Sequence, residues 1–280
     1  MSDDKDEIVF HAPVGAPAKY ESLYVSIIPA GAATQEFDPQ ASALMTERLA
    51  GEGSAVAQFI LGHKLLSGHG VERDAAAAYR WFSLAAASGR ADAINMVGRC
   101  HECGWGVPVD RVEAARWYRQ AVDKSNAWAM FNLASLMLAG DGVARDPAAA
   151  LSLFVRAARR GNAKAMSTLG QYREEGWSCR PKLASAVRWY RRGAERGCIR
   201  GQYNLARFLA QAGNLDDAAY WLRAACSIAP PEFCREVGNV LVAHPDPTLQ
   251  SIGREALARA ASAPSLPDGP GSQPPASLFR

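Results

Sequence analysis

Residues 100–103 read Cys-His-Glu-Cys and form the one group of adjacent side chains in this sequence with the character of a metal site. A Cys-x-x-Cys pair needs two further ligands to complete the tetrahedral shell of a structural zinc ion. The sequence contains neither a second such pair nor a suitably spaced pair of histidines. We therefore predict that Cys100 and Cys103 are packing residues of a helix; a zinc site is the alternative.

The sequence contains no motif for catalysis or for a cofactor. It has no phosphate-binding loop, no paired-histidine zinc motif and no nucleophile elbow. The Gly-x-Gly-Val segments that begin at Gly68 and Gly104 lack the third glycine and the preceding strand of a dinucleotide-binding fingerprint. We therefore predict no catalytic residues, no metal and no cofactor.

Arginines are concentrated in certain predicted helices, although the whole chain is nearly neutral. The 31 basic and 28 acidic residues give a net charge of +3, which argues neither for nor against a nucleic-acid partner. Many of these arginines lie in last helical turns, where cations suit the helix dipole, so we expect a solvated outer face and no nucleic acid. The alternative is a basic stripe that contacts an acidic surface or a nucleic acid. The arginines are Arg80, Arg116, Arg119, Arg156, Arg159, Arg160, Arg188, Arg191, Arg192 and Arg196.

These side chains belong to a pattern that recurs every 36 residues. Each copy opens on a small residue, continues with a glycine or alanine five residues later, and has a glycine near its middle. A self-similarity at such a spacing is the signature of a stacked repeat architecture. The opening residues are Ala57, Ala93, Ala129, Ala165 and Gly201.

Each copy predicts two α-helices, A and B, joined by a glycine turn. In the first copy, Leu61 lies on the apolar face of helix A, and Gly68 permits the turn backbone. Asp74 stands where the N-cap of helix B belongs, and Trp81 and Phe82 are predicted to be buried in that helix. One helix pair cannot bury its own apolar face, so neighbouring copies must stack. The predicted fold class is all-α.

The pattern resembles that of the Sel-1-like repeat family, a branch of the tetratricopeptide-like helical solenoids. The first copy meets the family pattern at Leu61-Gly62, Gly68-His69-Gly70-Val71, Asp74, Ala78, Trp81-Phe82 and Ala85-Ala86. The resemblance implies a right-handed α/α superhelix and a role as an adaptor or scaffold. The fourth copy departs from the pattern, because Ser178 replaces the second glycine and Lys182 the capping aspartate.

The repeat pattern also predicts the domain organisation. Residues 1–36 do not match it and are predicted to be either extended or disordered. The solenoid is predicted to span 37–261, with a capping helix at 38–53, and the tail at 262–280, rich in proline, glycine and serine, is predicted to be disordered. The predicted copies are 57–92, 93–128, 129–164, 165–200, 201–232 and a partial copy at 233–261.

The resemblance implies that one face of helix A lines a concave groove. Helix A of the first copy has a second face, which its core-facing residues do not use. The residues of this face, carried forward at the repeat spacing, combine aromatic rings with arginine and amide groups. Such a combination is typical of surfaces that bind peptides. The alternative is that the aromatic members pack between helices or are covered by the N-terminal segment. The predicted groove residues are Phe59, His63, Asn95, Arg99, Trp128, Phe131, Ser135, Ser167, Gln171, Tyr203 and Arg207.

Cys226 and Cys234 match the cysteine spacing of the secreted, cysteine-rich branch of the family, so the resemblance implies a disulfide between them. The N-terminus, however, lacks the basic start and the apolar run of a signal peptide. No stretch approaches the roughly 20 apolar residues that a membrane span requires. We therefore expect a cytoplasmic monomer without membrane insertion, in which reduced thiols are the alternative to the bridge.

Three classes of function remain. The leading prediction is a non-catalytic adaptor that holds a protein or peptide on the concave face of the solenoid. The resemblance also implies an alternative, a regulatory or assembly partner of a cell-envelope or secretion system. The third class is an enzyme related to the cysteine-rich β-lactam-binding members of the family, although the repeats of this sequence contain no Ser-x-x-Lys motif.

Overall fold

Helices make up most of the chain that the structure describes. The computed structural model describes residues 8–11, 24–27, 39–177 and 180–262. Most of the predicted N-terminal segment and nearly all of the predicted disordered tail lie outside these residues. Within them the helices are α1 (Pro39–Gly51), α2 (Ala55–Ser67), α3 (Ala75–Ala87), α4 (Ala91–Cys103), α5 (Arg111–Asp123), α6 (Ala127–Ala139), α7 (Pro147–Arg159), α8 (Ala163–Glu175), α9 (Leu183–Ala194), α10 (Ile199–Gln211), α11 (Leu215–Ile228), α12 (Pro231–Val242) and α13 (Pro247–Ser262).

Two short strands precede the helices. Strand β1 (Ile8–His11) pairs antiparallel with β2 (Tyr24–Ile27), in the register that places Ile8 opposite Ile27. Both strands fall inside residues 1–36, the segment that was predicted to be either extended or disordered.

The helices follow the predicted spacing. The A helices α2, α4, α6, α8 and α10 begin at residues 55, 91, 127, 163 and 199, so each begins 36 residues after the one before. The B helices α3, α5, α7 and α9 begin at residues 75, 111, 147 and 183. Helix α1 begins one repeat length before α3, where the capping helix was predicted. The all-α repeat fold is therefore confirmed.

Glycines end the A helices at the predicted positions. A residue with positive φ stops an α-helix and lets the chain reverse, and glycine adopts that conformation without steric cost. The φ angles of Gly68, Gly104, Gly140 and Gly176 are 75°, 73°, 77° and 69°.

Aspartates cap the first three of the B helices that follow these turns. The side chains of Asp74, Asp110 and Asp146 each accept a hydrogen bond from the backbone N–H three residues later, at 2.8–2.9 Å. In the fourth copy Lys182 stands at the cap and makes no side-chain hydrogen bond to the helix. The departure of that copy from the sequence pattern thus leaves its B helix without a side-chain cap.

The core is formed by aromatic rings of the B helices that pack against glycines of the A helices. A methyl group at Gly98 would lie 2.7 Å from the Tyr118 ring, and Phe82 is equally close to Gly62. Phe82 and Tyr118 have no exposed surface. The prediction that Trp81 is buried together with Phe82 is only half right, because Trp81 is partly exposed. The second aromatic residue of each pair points into the stack.

The chain divides into two compact units. Strands β1 and β2 and helices α1–α7 belong to unit 1, and helices α8–α13 belong to unit 2, with the boundary between Asn162 and Ala163. Each unit is described by itself below. Among the described helices, none is both long enough and apolar enough to cross a membrane.

Candidate partner-binding face

The predicted groove residues of unit 1 lie on helices α2, α4 and α6. We call the surface formed by Phe59, His63, Arg99, Trp128 and Phe131 the A face of unit 1. All five side chains are at least partly exposed, and Trp128 exposes 36% of its surface. The A face therefore combines large aromatic rings with a cation.

An aromatic cluster occupies the part of the A face formed by α2. The rings of Phe59 and His63 lie 4.7 Å apart between centroids, and His63 lies 5.2 Å from Phe82 beneath them. Burial among these rings, with a smaller effect of the nearby Arg99 guanidinium, lowers the pKa of His63 to about 4. His63 is therefore neutral at pH 7 and adds no charge to the face.

Arg99 lies next to this cluster on α4. Its guanidinium carbon stacks 4.7 Å from the centre of the Trp105 ring, a distance typical of a cation–π contact. The side chain is partly buried, and no acceptor among the described residues forms a hydrogen bond or an ion pair with it. Its hydrogen-bond donors are thus available to a partner.

The other predicted groove residues of unit 1 make contacts within that unit. Asn95 is a correction to the predicted groove, since it is buried and its Oδ1 accepts a hydrogen bond of 3.0 Å from Asn132 Nδ2, which joins α4 to α6. Phe131 packs 5.6 Å from Phe154, and Ser135 donates to the Phe131 carbonyl oxygen at 3.0 Å. Phe131 therefore contributes both to packing within the copy and to the exposed face.

Arg207 in unit 2 has an internal partner, in contrast to Arg99. Its Nη2 lies 2.5 Å from Glu174 Oε1 on the preceding A helix, and Glu174 Oε2 accepts a hydrogen bond of 2.7 Å from the Tyr190 hydroxyl. The three residues form a continuous chain of hydrogen bonds, with Glu174 at its centre. Arg207 is therefore not a free donor on its helix.

The remaining predicted residues of unit 2 also have contacts within that unit. Gln171 donates to Glu175 Oε1 at 2.9 Å, and Tyr203 packs edge to face on Phe233. Ser167 is a correction, since it is only 1% exposed and cannot reach a partner. It is buried because Gly193 of α9 has no side chain and comes close to its backbone; a methyl group there would lie 3.5 Å from the Ser167 nitrogen.

The comparison with protein families agrees with the internal repeat. The family model described as "Sel1 repeat" matches residues 55–89, 91–126, 129–162 and 163–198, which together make up half of the chain. The chain belongs to the Sel1 repeat family. No curated protein matches it.

Solved structures of Sel1 repeat proteins share the fold. A Sel1 repeat protein from Oxalobacter formigenes is 24% identical with a TM-score of 0.65, and the match covers 78% of this chain and 93% of that one. The protective antigen c5321 of uropathogenic Escherichia coli is 27% identical with a TM-score of 0.56, over 80% of this chain and 49% of that one. The immunity protein Pa5087 of Pseudomonas aeruginosa is 16% identical with a TM-score of 0.51, over 82% and 84% of the two chains.

Each Sel1 repeat of this chain has two corresponding positions, one near the end of helix A and the other at the buried aromatic residue of helix B. These two positions alternate along the chain between a hydrogen-bonded pair and an apolar pair, which the sequence analysis missed. The Tyr118 hydroxyl donates to Glu102 at the end of α4, as the Tyr190 hydroxyl donates to Glu174 at the end of α8. The first and third copies carry leucine and phenylalanine at the same two positions. Comparison of the four copies at these positions would have revealed the pairing. The corresponding pairs are Leu66 with Phe82, Glu102 with Tyr118, Leu138 with Phe154 and Glu174 with Tyr190.

The Cys-His-Glu-Cys stretch of the second Sel1 repeat does not converge on a common point. Cys100 is buried, and burial raises the pKa of its thiol to about 12. His101 packs edge to face on Tyr79, whereas Glu102 accepts the hydrogen bond of Tyr118. No group of three or more potential metal ligands occurs among the described residues. These side chains have packing and hydrogen-bonding roles.

Cys226 and Cys234 are free thiols in this structure, and both are buried. Cys234 Sγ lies 3.6 Å from the Cys226 carbonyl oxygen, so the two residues are neighbours across the junction of α11 and α12. A hydrogen bond between the thiols raises the pKa of Cys226 and lowers that of Cys234. The pair has the proximity that the predicted disulfide requires, and the bridge itself stays a prediction.

The ten arginines that were predicted to form a solvated outer face lie in or just after the B helices, and all are exposed. Arg116 pairs with Glu113 one turn away at 2.9 Å, and Arg160 donates to Ser125 Oγ at 3.1 Å. Exposed pairs of this kind typically contribute less than about 1 kcal/mol to stability. These arginines differ from Arg99, which lies partly buried between aromatic rings.

Proposed function

We propose that this chain is a non-catalytic scaffold that binds a protein or peptide segment on the A face of unit 1. Sel1 repeat proteins are in general protein-interaction scaffolds, which supports the class of function. The observation that supports the location is the position of Arg99, partly buried beside Trp105 and His63 and without an acceptor among the described residues. Arginine and aromatic residues are enriched among the residues that dominate binding energy at interfaces.

The test compares two arginines that differ in location. Arg99→Glu reverses the charge on the A face, and Arg119→Glu makes the same change on the exposed surface of α5. Each purified variant is used to capture partners from lysate of the native cell, and thermal melting checks that both remain folded. We expect Arg99→Glu to lose the partner and Arg119→Glu to retain it. Equal capture by both variants, with unchanged melting, would exclude the A face of unit 1.

Other parts of the prediction need separate measurements. The cytoplasmic location, the monomeric state and the alternative role in a cell-envelope or secretion system stay predictions from the sequence. Mass spectrometry of the native protein without reductant reads the state of Cys226 and Cys234, and sedimentation velocity reads the oligomeric state.

A further inference from the structure

Two arginines occupy equivalent positions in this repeat, and only one of them has a carboxylate partner within the chain. Arg99 on α4 and Arg207 on α10 are separated by three repeat lengths. Equivalent positions of a repeat have similar surroundings. The hydrogen-bond partner of Arg207 therefore indicates which kind of group fits beside Arg99.

In unit 2, a carboxylate of the chain itself pairs with Arg207. Glu174 reaches Arg207 from the last turn of the preceding A helix, 2.5 Å from Nη2. The buried Tyr190 hydroxyl holds the other oxygen of that carboxylate, so Glu174 is oriented toward the guanidinium. A charge-assisted hydrogen bond of this kind is among the stronger ones in proteins.

The Arg99 site lacks both of these groups. The position that corresponds to Glu174 holds Leu66, which is 5% exposed, and the position that corresponds to Tyr190 holds Phe82. Neither side chain can accept a hydrogen bond from a guanidinium. Arg99 instead stacks on Trp105 and has no acceptor among the described residues.

Neighbouring charges do not take the place of the missing carboxylate. His63 is neutral at pH 7, since its pKa is lowered to about 4. Glu102 lies one turn further along α4, where it accepts the hydrogen bond of Tyr118 and forms no ion pair with Arg99 within the described part of the chain. Arg90, at the other end of the aromatic cluster, is paired with Asp92 at 3.3 Å.

We propose that Arg99 binds the carboxylate of an acidic side chain in a peptide partner, in the place that Glu174 takes on Arg207. The inference rests on the proposed function and adds the chemical class of the partner, an acidic peptide segment. The planar guanidinium matches a carboxylate with two parallel hydrogen bonds, and the Trp105 ring behind it fixes its orientation. The rings of Phe59 and His63 lie beside it as apolar contact surface.

The most specific test introduces the carboxylate and the hydroxyl of the Arg207 site into unit 1. The double substitution Leu66→Glu with Phe82→Tyr places in the first copy the two residues that serve Arg207 in unit 2. It leaves Arg99 in place but supplies it with an internal carboxylate, so external acidic peptides are excluded. Arg99→Gln removes the guanidinium directly and keeps the inference testable if the double variant does not fold. Arg119→Gln is the matched control on the outer face.

The probe is a random peptide library displayed on phage and selected on the full-length protein. Selected peptides are synthesised with their acidic residue, with Gln in its place, and with an amidated C-terminus. Binding is measured by fluorescence anisotropy, with thermal melting of every variant as the folding control. We expect the Glu-to-Gln change in the peptide to weaken binding to the wild-type protein about tenfold or more, because a charge-assisted hydrogen bond is lost.

The variants separate this inference from the proposed function. Both Arg99→Gln and the double variant should bind the acidic and the Gln peptides equally weakly, whereas Arg119→Gln should behave as wild type. Peptides that bind without any preference for an acidic residue would overturn the inference and leave the scaffold function intact. Binding that depends only on the free C-terminus would overturn the assignment to a side chain. Failure to select any peptide would overturn the inference, whereas the proposed function, which includes binding of a folded protein, is judged separately by the capture experiment with Arg99→Glu.

The reciprocal substitution gives an independent check within unit 2. Glu174→Leu with Tyr190→Phe removes the internal partner of Arg207 and should create a second, weaker site for the acidic peptide, because Ser167 and Gln171 stand where Phe59 and His63 lie beside Arg99. The expected result is a change from one bound peptide per chain to two, read by isothermal titration. A stoichiometry that stays at one in a folded variant would contradict the premise that the carboxylate position decides whether these arginines bind a partner.

Discussion

The hydrogen bond between Tyr118 and Glu102 predicts a measurable coupling between two substitutions. The Tyr118 side chain has no exposed surface, and its hydroxyl reaches the Glu102 carboxylate, which is partly exposed. Glu102→Leu leaves the hydroxyl without its acceptor and without access to water, which costs about 1–3 kcal/mol. Tyr118→Phe should cost less, about 1 kcal/mol, because water can replace the hydroxyl at the partly exposed carboxylate.

The double variant Tyr118→Phe with Glu102→Leu should be less destabilised than the sum of the two single changes. It reproduces the apolar pair of the first copy, where Leu66 and Phe82 are both buried. Replacing both partners of a buried hydrogen bond by apolar groups of similar shape is often nearly neutral. We therefore expect a coupling energy of about 1–2 kcal/mol between the two positions.

Urea unfolding of the wild-type protein, the two single variants and the double variant measures this coupling. A coupling energy near zero for Tyr118 and Glu102 would refute the interpretation that the hydroxyl depends on this carboxylate. It would also weaken the assumption that equivalent positions in different copies have equivalent surroundings.

Three further predictions concern the core, a helix cap and pH. Gly98→Ala should destabilise the chain by about 1 kcal/mol net in urea melts. The added methyl group would lie 2.7 Å from the Tyr118 ring, and the cost of this overpacking exceeds the gain in helix propensity. The net cost stays small because a repeat can adapt to a methyl group, as Ala134 at the equivalent position of the third copy shows. Asp110→Ala should cost roughly 1 kcal/mol in the same assay through its lost cap, and Asp110→Asn should recover most of it. The pKa of His63 is about 4 in the folded chain against 6.5 unfolded, so its contribution is fully present above pH 6.5 and lost as the pH falls to 4. The loss is at most about 3 kcal/mol, and His63→Gln should flatten the fall in stability between pH 7 and 4; an NMR titration that places the His63 pKa near 6.5 would contradict this.

The helices were predictable because each residue that marks a helix boundary occurs at the same position in several copies of the repeat. A single glycine such as Gly104 is weak evidence for a turn, but its recurrence at the same position of the first four copies leaves little choice of helix boundary. The A face followed from the positions that the core did not use. Ser167 was misplaced because its burial depends on Gly193, a residue of another helix whose approach the periodicity of one helix does not contain. The partner of Arg207 was missed for the same reason, since Glu174 belongs to the preceding A helix.

Under the proposed binding mode, the difference between copies, rather than their common pattern, determines what the A face of unit 1 binds. Positions that face the core hold nearly the same residue in every copy, because a constant distance between stacked helices requires a constant side-chain volume. Exposed positions of the A helices carry no such requirement. An arginine there either pairs with a carboxylate of its own chain, as Arg207 does, or keeps donors that a partner can bind, as we propose for Arg99. Arg99 is left open because Leu66 and Phe82 supply no carboxylate and no hydroxyl. If the proposal is correct, binding at this face depends on two buried apolar residues as much as on the arginine itself, and substitution of Leu66 should alter partner binding although Leu66 does not contact the partner.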